Sequence, residues 1–384
     1  MYKISSMNTN SILRVTLFAA ASLFAMLSRA ETIFVLTADG KVATTLSSSP
    51  STNSAPIAVA NLTAGEALVA IDVRPLNQQL YALGVNATTD TATLYLVNPK
   101  TGFMGVVGTP AAVALTSDGI AAVDFLDPSA VNWEIDFNPV ADRLRVAVGS
   151  LNFRINPNTG LAVDGDTGVT GTNPDGAING GATTVSATAY TNNNQNTIWT
   201  TQYSVDAASD SLFIQNLPNN GTLTLVQTVT LGGSALDFTV AGLDIAPGIN
   251  APGLNATLTS GSAIFYAKVG GVSGLYSLNL VNAQATLLGT FDIAVRSIAI
   301  RTDKAAAVGL SNDGSALFHF DPNTPSLSRI VAVAAPVAGE KLVGIDGRPQ
   351  TGQLIRANAL PIEKCQQIGK VPSSITLLAF DTAF

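Results

Sequence analysis

Four aspartates occupy the same place in repeated copies of an apolar strand. Each follows an aliphatic residue, in the pairs that end at Asp72, Asp136, Asp244 and Asp346. If the copies surround an axis, these carboxylates form a ring that could bind a cation or a polyhydroxylated ligand. Alternatively, each carboxylate accepts backbone N–H groups at its strand end and fixes the geometry of the repeat. Because residues repeated in most copies usually serve the architecture, we favour this second interpretation. Arg74 and Arg348 follow two of these aspartates by two residues, so Asp–Arg pairing is a further structural option.

A second group of carboxylates lies in the glycine-rich loop Gly160–Gly176. Asp164, Asp166 and Asp175 are spaced among glycines there, and oxygen-rich loops suit Ca²⁺, which takes six to eight oxygen ligands. The spacing differs from that of an EF-hand and lacks its closing glutamate. Asp-Gly and Pro-Asp-Gly are also ordinary turn sequences. We therefore favour turns in this loop, and Ca²⁺ is the one cofactor that the sequence suggests.

The residues that hydrolytic enzymes use are scarce. His319 is the only histidine, so a zinc site with two or three histidines cannot form. A Ser-His-Asp triad would need His319 itself, which lies between Phe318 and Phe320 in an alternating strand pattern. A carboxylate pair for sugar cleavage leaves no sequence signature. A carboxylate- or calcium-dependent hydrolase or lyase therefore stays open as an alternative, although the residues favour a non-catalytic protein.

The repeat that carries the aspartates predicts an all-β fold. Its clearest copy has predicted strands at Trp133–Phe137, Leu144–Val148 and Asn152–Ile155, and it ends in the turn Asn156–Gly160. Such a unit cannot bury its apolar faces alone and needs neighbours like itself. The unit length of roughly 50–60 residues is that of a four-stranded propeller blade. Further copies begin at Leu68, Val185, Ala241, Val295 and Leu342.

We predict a β-propeller of six four-stranded blades. The long segments 103–131 and 223–240 leave seven blades as an alternative. The last copy, about 342–384, lacks clear third and fourth strands, and the N-terminal hairpin 31–46 lacks an opening strand. We expect the hairpin and the last copy to complete one blade. That pairing would close residues 31–384 into a single domain and remove exposed sheet edges.

Residues 1–30 have the pattern of a signal peptide. Lys3 and Arg14 precede the apolar run Val15–Ser28, and small residues stand at Ser28 and Ala30. The run is shorter than the roughly 20 residues that a membrane anchor needs. We expect cleavage after Ala30, export to the periplasm or the extracellular space, and no transmembrane segment in the mature protein. The single cysteine, Cys365, excludes an internal disulfide.

Composition restricts the partners. The net charge of −7 and the absence of Lys/Arg clusters argue against nucleic acid. We expect a monomer that binds a protein, a glycan or a small ligand. Aromatic residues make up only 6%, which leaves few platforms for sugar stacking. A non-catalytic binding module is favoured over an enzyme by the scarcity of His and Cys, and a structural or adhesion protein is the third hypothesis.

Five motifs in the middle of the chain resemble a known family. They are IDFNPVADRLRV (135–146), NFRINPNTG (152–160), TAYTNN (188–193), DSLFIQNLPNNGTL (210–223) and GLDI (242–245). In combination they resemble the exported, mostly bacterial proteins grouped as domain of unknown function 4394. The resemblance implies a β-propeller-like fold and export, and it implies no activity. The sequence departs from the repeat after Leu360.

Overall fold

The computed structural model describes residues 30–195, 197–302, 307–320, 329–333, 341–347, 354–359 and 376–379. The predicted signal peptide up to residue 29 and Cys365 lie outside the described residues. Strands dominate the described part of the chain, where the helical content is one short 3₁₀ turn, Pro218–Asn220. None of the described helices is long and apolar enough to cross a membrane.

The described residues contain thirty-one strands. The first thirteen are β1 Thr32–Thr37, β2 Lys41–Leu46, β3 Ile57–Ala58, β4 Ala67–Val73, β5 Leu80–Asn86, β6 Thr91–Val97, β7 Met104–Val106, β8 Thr116–Ser117, β9 Ala121–Ala122, β10 Glu134–Asn138, β11 Arg143–Val148, β12 Leu151–Ile155 and β13 Ala162–Val163. The next twelve are β14 Asn179–Gly180, β15 Ala187–Tyr190, β16 Gln202–Asp206, β17 Ser211–Gln215, β18 Thr222–Thr228, β19 Thr230–Leu231, β20 Ser234–Ala235, β21 Ala241–Asp244, β22 Ser262–Val269, β23 Val272–Asn279, β24 Gln284–Thr290 and β25 Val295–Ile300. The last six are β26 Ala307–Leu310, β27 Ala316–Phe320, β28 Arg329–Ala332, β29 Lys341–Gly347, β30 Leu354–Ala359 and β31 Thr376–Ala379.

Five of the sheets are propeller blades. Blade 1 has the strand order β25-β1-β2-β3, blade 2 is β4-β5-β6-β7, and blade 3 is β10-β11-β12-β13. Blade 4 is β15-β16-β17-β18 with β14 added beside β18. Blade 5 is β21-β22-β23-β24 with β19 and β20 added at its outer edge. Within each blade the four main strands pair antiparallel with their neighbours.

The innermost strands of these blades form a closed ring. β4 lies against β10, β10 against β15, β15 against β21, β21 against β25, and β25 against β4. The chain is therefore a five-bladed propeller with one strand of each blade lining the central axis. Closure of this kind leaves no inner sheet edge exposed.

Both faces of the inner and second strands are buried because each blade is covered by a neighbour on either side. In β11 the residues Leu144, Val146 and Val148 face one way, while Arg145 and Ala147 face the other, and all five are buried. The alternating pattern predicted the strand correctly, but it predicted only one buried face. Exposure returns at the outer strand β18, where buried positions become few.

Trp133 lies directly before β10 and is part of the core, as the sequence predicted. It is 1% exposed, and its ring meets that of Phe125 edge-on at 5.6 Å. Its Nε1 donates a hydrogen bond to the Leu126 carbonyl at 3.1 Å. The satisfied indole N–H allows this large side chain to be buried at the base of the inner strand.

The Asn-Pro-x-Thr-Gly turns dock each blade on the one before it. Gly102 and Gly160 end these turns with φ of 72° and 73°. A Cβ at Gly102 would lie 2.1 Å from the Ala58 carbonyl, and one at Gly160 would lie 2.0 Å from the Val107 carbonyl. Both the left-handed backbone and this close approach require glycine. The motif recognised in the sequence thus joins neighbouring blades.

The predictions of six blades and of closure through the C-terminal copy were wrong. The hairpin β1-β2 pairs with β25, in a register that runs from Ile33 opposite Ile300 to Thr37 opposite Val295. The described strands of the last copy, β29, β30 and β31, form a separate sheet, and β1 is flanked by β25 and β2, and β2 by β1 and β3. Each repeat opens with a similar strand, so the local pattern does not reveal which copy lies beside the first blade. Which copy lies beside the first blade depends on how far each blade rotates the ring.

Two three-stranded sheets follow the ring in sequence. One is β26-β27-β28 and the other is β29-β30-β31. The fifth predicted copy is divided, because its opening strand Val295–Ile300 belongs to blade 1, whereas its continuation forms the first of these sheets. His319 lies on β27, and Asp346 lies exposed on β29.

Candidate functional site

Three of the four predicted aspartates meet at the centre of the ring. Asp72 is on β4, Asp136 on β10 and Asp244 on β21, which are the inner strands of blades 2, 3 and 5. Each is at most 2% exposed. One carboxylate oxygen of each lies within 4.8 Å of the others. We call these three residues the central cluster. Asp346 was predicted to join them and does not, because β29 is not one of the five inner strands.

Each aspartate of the central cluster accepts a hydrogen bond from the inner strand of the next blade. Both oxygens of Asp72 are engaged, since Oδ1 also accepts the N–H of Val73 at 2.6 Å. These bonds tie one blade to the next, as the architectural interpretation expects. The bonds between blades run from Phe137 N–H to Asp72 Oδ2 (2.7 Å), from Tyr190 N–H to Asp136 Oδ1 (3.0 Å) and from Ile300 N–H to Asp244 Oδ2 (2.6 Å).

The same hydrogen bonds show which residues occupy the other two ring positions. Tyr190 and Ile300 follow Ala189 and Ala299, so these alanines are the equivalents of the aspartates in blades 4 and 1. Two of five positions thus carry a methyl group in place of a carboxylate. Both alanines are fully buried and belong to the apolar core.

A fourth buried carboxylate, Glu134, lies beside the cluster. It precedes Asp136 by two residues and so lies on the same face of β10. Glu134 is 1% exposed, and its Oε1 has no hydrogen-bond partner. This oxygen would lie 3.0 Å from a Cβ at Gly242 of blade 5. Since blades 3 and 5 are not neighbours in the ring, the Glu134 side chain extends across the axis.

Burial makes these carboxylates weak acids. Loss of hydration, followed by the charge of Asp244, raises the pKa of Asp72 well above its ordinary value. Burial also raises the pKa of Asp136 and of Glu134, with neighbouring carboxylates adding to the effect. Burial raises the pKa of Asp244 to about 7. The Oδ1 atom of Asp244 accepts no hydrogen bond.

The nearest buried arginines do not neutralise the central cluster. Arg74 follows Asp72 by two residues, and the sequence suggested pairing of the two. Its guanidinium instead binds Asp142 of blade 3, with Arg74 Nε donating to Asp142 Oδ1 at 2.7 Å. It also donates to Asn158 at 2.8 Å. Arg74 therefore links blades 2 and 3 away from the axis, while Arg348 lies outside the described residues.

The loop Gly160–Gly176 does not gather its aspartates into one site. Asp175 is buried and accepts hydrogen bonds from Arg145 at 2.5 Å and from Arg154 at 2.7 Å. Asp164 accepts the backbone N–H groups of Asp166 and Asn173. Asp166 in turn accepts the N–H of Gly168 in an exposed turn. Because Asp175 is committed to two guanidinium groups, the structure does not support the predicted calcium site in this loop.

An open cleft of about 400 Å³ lies between blades 3 and 4, and the connection from β21 to β22 of blade 5 also contributes Leu254 and Asn255 to its lining. Its lining includes three guanidinium groups, those of Arg143, Arg145 and Arg154. Asp175 is the one carboxylate bound to this group, through Arg145 and Arg154. Arg143 donates only to the carbonyls of Ala141 and Asp142 among the described contacts. The cleft thus carries an excess of positive charge in a protein whose net charge is −7.

Apolar and amide groups complete the cleft. Leu217 and Leu254 are 57% and 70% exposed at its edge. Asn138 and Asn255 also line it. The sequence analysis missed Arg143 and Glu134, because neither repeats from copy to copy. Three arginines, at positions 143, 145 and 154, lie close together in a chain with few charged residues. This spacing was the sequence feature from which the cleft could have been predicted.

Comparison with known proteins gives the family. The profile described as "Domain of unknown function (DUF4394)" matches residues 41–299. The chain belongs to this family. The matched range begins at β2 and ends in β25, so the family corresponds to the five-bladed ring, and the sheets from β26 onward follow it. The resemblance found in the sequence is thereby confirmed.

Solved structures match the chain at low similarity. Hydrazine synthase of Kuenenia stuttgartiensis is 11% identical with a TM-score of 0.32, covering 82% of this chain and 81% of its own. A putative 6-phosphogluconolactonase of Bacteroides fragilis is 11% identical with a TM-score of 0.31, covering 86% and 95%. The Dos1 propeller is 10% identical with a TM-score of 0.29, covering 83% and 72%. No curated protein matches the chain. Similarity at this level carries no functional argument.

Proposed function

We propose that this chain is an exported, non-catalytic β-propeller that binds an acidic peptide segment of a partner protein in the cleft between blades 3 and 4. The observation that carries the proposal is the uncompensated positive charge of Arg143, Arg145 and Arg154 against the single Asp175. Arginine binds carboxylates by paired, charge-assisted hydrogen bonds. An acidic side chain in the cleft would balance this charge.

The remaining lining fits a peptide. The amide of Asn255 can donate to and accept from a peptide backbone, and Asn138, whose Oδ1 already accepts two backbone N–H groups, can donate through Nδ2. Leu217 and Leu254 offer exposed apolar surface for the side chains of the peptide. Stacking on a sugar ring would need an exposed aromatic face. Tyr190, the aromatic residue of the lining, is 1% exposed. These features favour a peptide over a glycan.

Export is supported by the sequence of residues 1–30. The charged start, the short apolar run and the small residues at positions 28 and 30 are those of a cleaved signal peptide. A propeller outside the cytoplasm, with a charged cleft on its surface, is suited to contact other exported or surface proteins. Detection of a mature N-terminus at Glu31 by mass spectrometry of the exported protein would test this part of the proposal.

Binding is tested with labelled peptides and the purified protein. The probe is a fluorescein-labelled decapeptide of alternating Glu and Leu, compared by anisotropy with its Gln-for-Glu analogue and with oligogalacturonate as an acidic sugar. Arg143→Gln removes the guanidinium that has no carboxylate partner in the cleft. Because hydrogen bonds to charged groups are worth about 1.5–3 kcal/mol, we expect binding of the acidic peptide to weaken roughly tenfold or more.

Lys268→Gln is the matched control. Lys268 is exposed on β22 of blade 5 and loses the same charge far from the cleft. We expect its affinity to stay close to that of the unchanged protein. Equal weakening by both substitutions would mean that only net charge matters and would overturn the proposal. So would equal binding of the Glu and Gln peptides, or preferential binding of oligogalacturonate.

A further inference from the structure

We infer that the axis of the propeller holds one divalent cation of calcium's size, bound by the carboxylates of Asp72, Asp136 and Asp244. This site is distinct from the cleft between blades 3 and 4. The three residues come from blades 2, 3 and 5, so a single ion would join three separate parts of the ring. The inference goes beyond a binding function for the cleft and does not depend on it.

The spacing of the oxygens fits a cation. One oxygen of each aspartate lies within 4.8 Å of the other two. Ca²⁺ binds oxygen at about 2.3–2.6 Å, so two ligands on opposite sides of one ion lie roughly 4.6–5.2 Å apart. The cluster therefore lies within the span of a single coordination sphere. Ala189 and Ala299 occupy the two remaining ring positions and supply no side-chain ligand, so water would have to complete the coordination.

Glu134 supplies an independent observation. It is not one of the three clustered aspartates, yet it is buried, extends across the axis, and leaves Oε1 without a hydrogen-bond partner. Glu134 lies two residues before Asp136 on β10, and its Oε1 would lie 3.0 Å from a Cβ at Gly242, two residues before Asp244 on β21. A buried carboxylate oxygen without a donor is costly unless a proton or a cation satisfies it.

The hydrogen bonds leave the carboxylates positioned to bind a cation in place of protons. Each aspartate of the central cluster accepts at least one backbone N–H, and such bonds stabilise the ionised form. Burial opposes ionisation and raises the pKa of each aspartate, so protons compete with a cation for these oxygens. Arg74 and Arg145 are committed to Asp142 and Asp175. A divalent cation that displaces the protons would supply the counter-charge that the ionised cluster needs.

The donor atoms indicate the kind of ion. All of the clustered ligands are carboxylate oxygens, which suit hard cations such as Ca²⁺ and Mg²⁺ better than zinc or copper. Mg²⁺ demands near-ideal octahedral geometry at about 2.0–2.1 Å, whereas Ca²⁺ accepts irregular sets of six to eight oxygens. Three carboxylates fixed by backbone bonds on three blades suit the more tolerant ion.

The test is calcium binding to the chelator-treated full chain, measured by isothermal titration calorimetry and by thermal unfolding. We expect one Ca²⁺ per chain and an unfolding midpoint that rises by a few degrees in excess Ca²⁺. Asp136→Asn keeps the size of the side chain and an oxygen for the Tyr190 N–H, but removes the charge. We expect it to weaken Ca²⁺ binding roughly tenfold or more, because ligand charge tunes calcium affinity.

Two control variants separate this site from other carboxylates. Asp118→Asn removes an exposed carboxylate, and Asp166→Asn removes one from the loop Gly160–Gly176. We expect both to bind Ca²⁺ as the unchanged protein does. Absence of calorimetric binding and of any midpoint shift would overturn the inference. Loss of binding in Asp166→Asn but not in Asp136→Asn, or tighter binding of Mg²⁺ than of Ca²⁺, would overturn it as well.

Discussion

At the residue scale, the central cluster combines two roles that sequence analysis treated as alternatives. The carboxylates of Asp72, Asp136 and Asp244 accept backbone N–H groups of neighbouring inner strands, which is the architectural role. They also place their oxygens close together with Glu134 beside them, which is the arrangement of a ligand site. The hydrogen bonds position the oxygens, so the first role makes the second feasible.

The stability of the calcium-free protein should depend on pH through this cluster. The pKa of Asp244 is about 7 in the folded state and near 3.8 when unfolded, and those of Asp72, Asp136 and Glu134 are also raised. Between these values the folded state binds more protons, so stability falls as pH rises. In chelator we expect the free energy of unfolding to increase when pH is lowered from 8 to about 5.5.

Urea denaturation at several pH values, with chelator and with excess Ca²⁺, measures this dependence. The charges of Asp72, Asp244 and Glu134 act on Asp136, and the charge of Glu31 acts on Asp244. Bound Ca²⁺ should suppress the pH dependence of stability, because the cation replaces the protons on the carboxylates of the cluster. Stability that rises with pH over this range in chelator would contradict the prediction.

At the element scale, the loop Gly160–Gly176 is fastened to blades 3 and 4 by charge. Asp175 binds Arg145 of β11 and Arg154 of β12, and Arg145 also donates to Asn219 beside blade 4 at 2.7 Å. Arg145 and Asp175 are almost fully buried. The loop that resembled a calcium loop is therefore an ion-paired connection, and the arginines that hold it, Arg145 and Arg154, also line the cleft.

Asp175→Asn should destabilise the protein strongly. It leaves the guanidinium of Arg145 buried without a counter-charge, and breaking a buried pair in this way costs about 3–5 kcal/mol. Asp166→Asn in the same loop is the control, and we expect a change within about 0.5 kcal/mol, since surface substitutions are usually small. Chemical denaturation measures both. Similar small effects for the two variants would show that the Asp175 pairs contribute little.

At the scale of the whole molecule, closure of the ring joins sequence-distant strands. β1 pairs with β25, more than 250 residues later, and β25 lies against β4. The family match covers the same part of the chain, from β2 to β25. The five blades are thus complete by residue 300, and the sheets β26-β27-β28 and β29-β30-β31 are not needed to close them.

Truncation tests this closure. A chain ending at residue 302 keeps every strand of the five blades, so we expect it to unfold cooperatively with a midpoint within a few degrees of the full chain. Deletion of residues 31–46, which removes β1 and β2, leaves β25 without its partner and exposes an inner edge. We expect that variant to be insoluble or strongly destabilised. Circular dichroism and thermal scans compare the two; a truncated chain that fails to fold would place essential contacts beyond residue 302.

The strands and turns of a blade, and their local chemistry, could be predicted from short-range patterns in the sequence. Period-2 alternation, Asn-Pro-x-Thr-Gly turns and the repeated Ile-Asp pair are short-range patterns, and each directs the same local geometry wherever it occurs. The propeller, the buried Trp133 and the meeting of Asp72, Asp136 and Asp244 followed from them. Each of these features depends on residues that are adjacent in the sequence or on a motif that recurs in several copies.

Features that depend on closure of the ring could not be predicted from the sequence. Whether the ring has five or six blades, and whether Asp346 reaches the axis, depends on which strand lies beside the first blade. That choice depends on how far each blade turns the ring, and no local pattern encodes this rotation. Glu134 and Arg143 act through partners in other blades or through the cleft between them. Their significance appears only when distant strands are brought side by side.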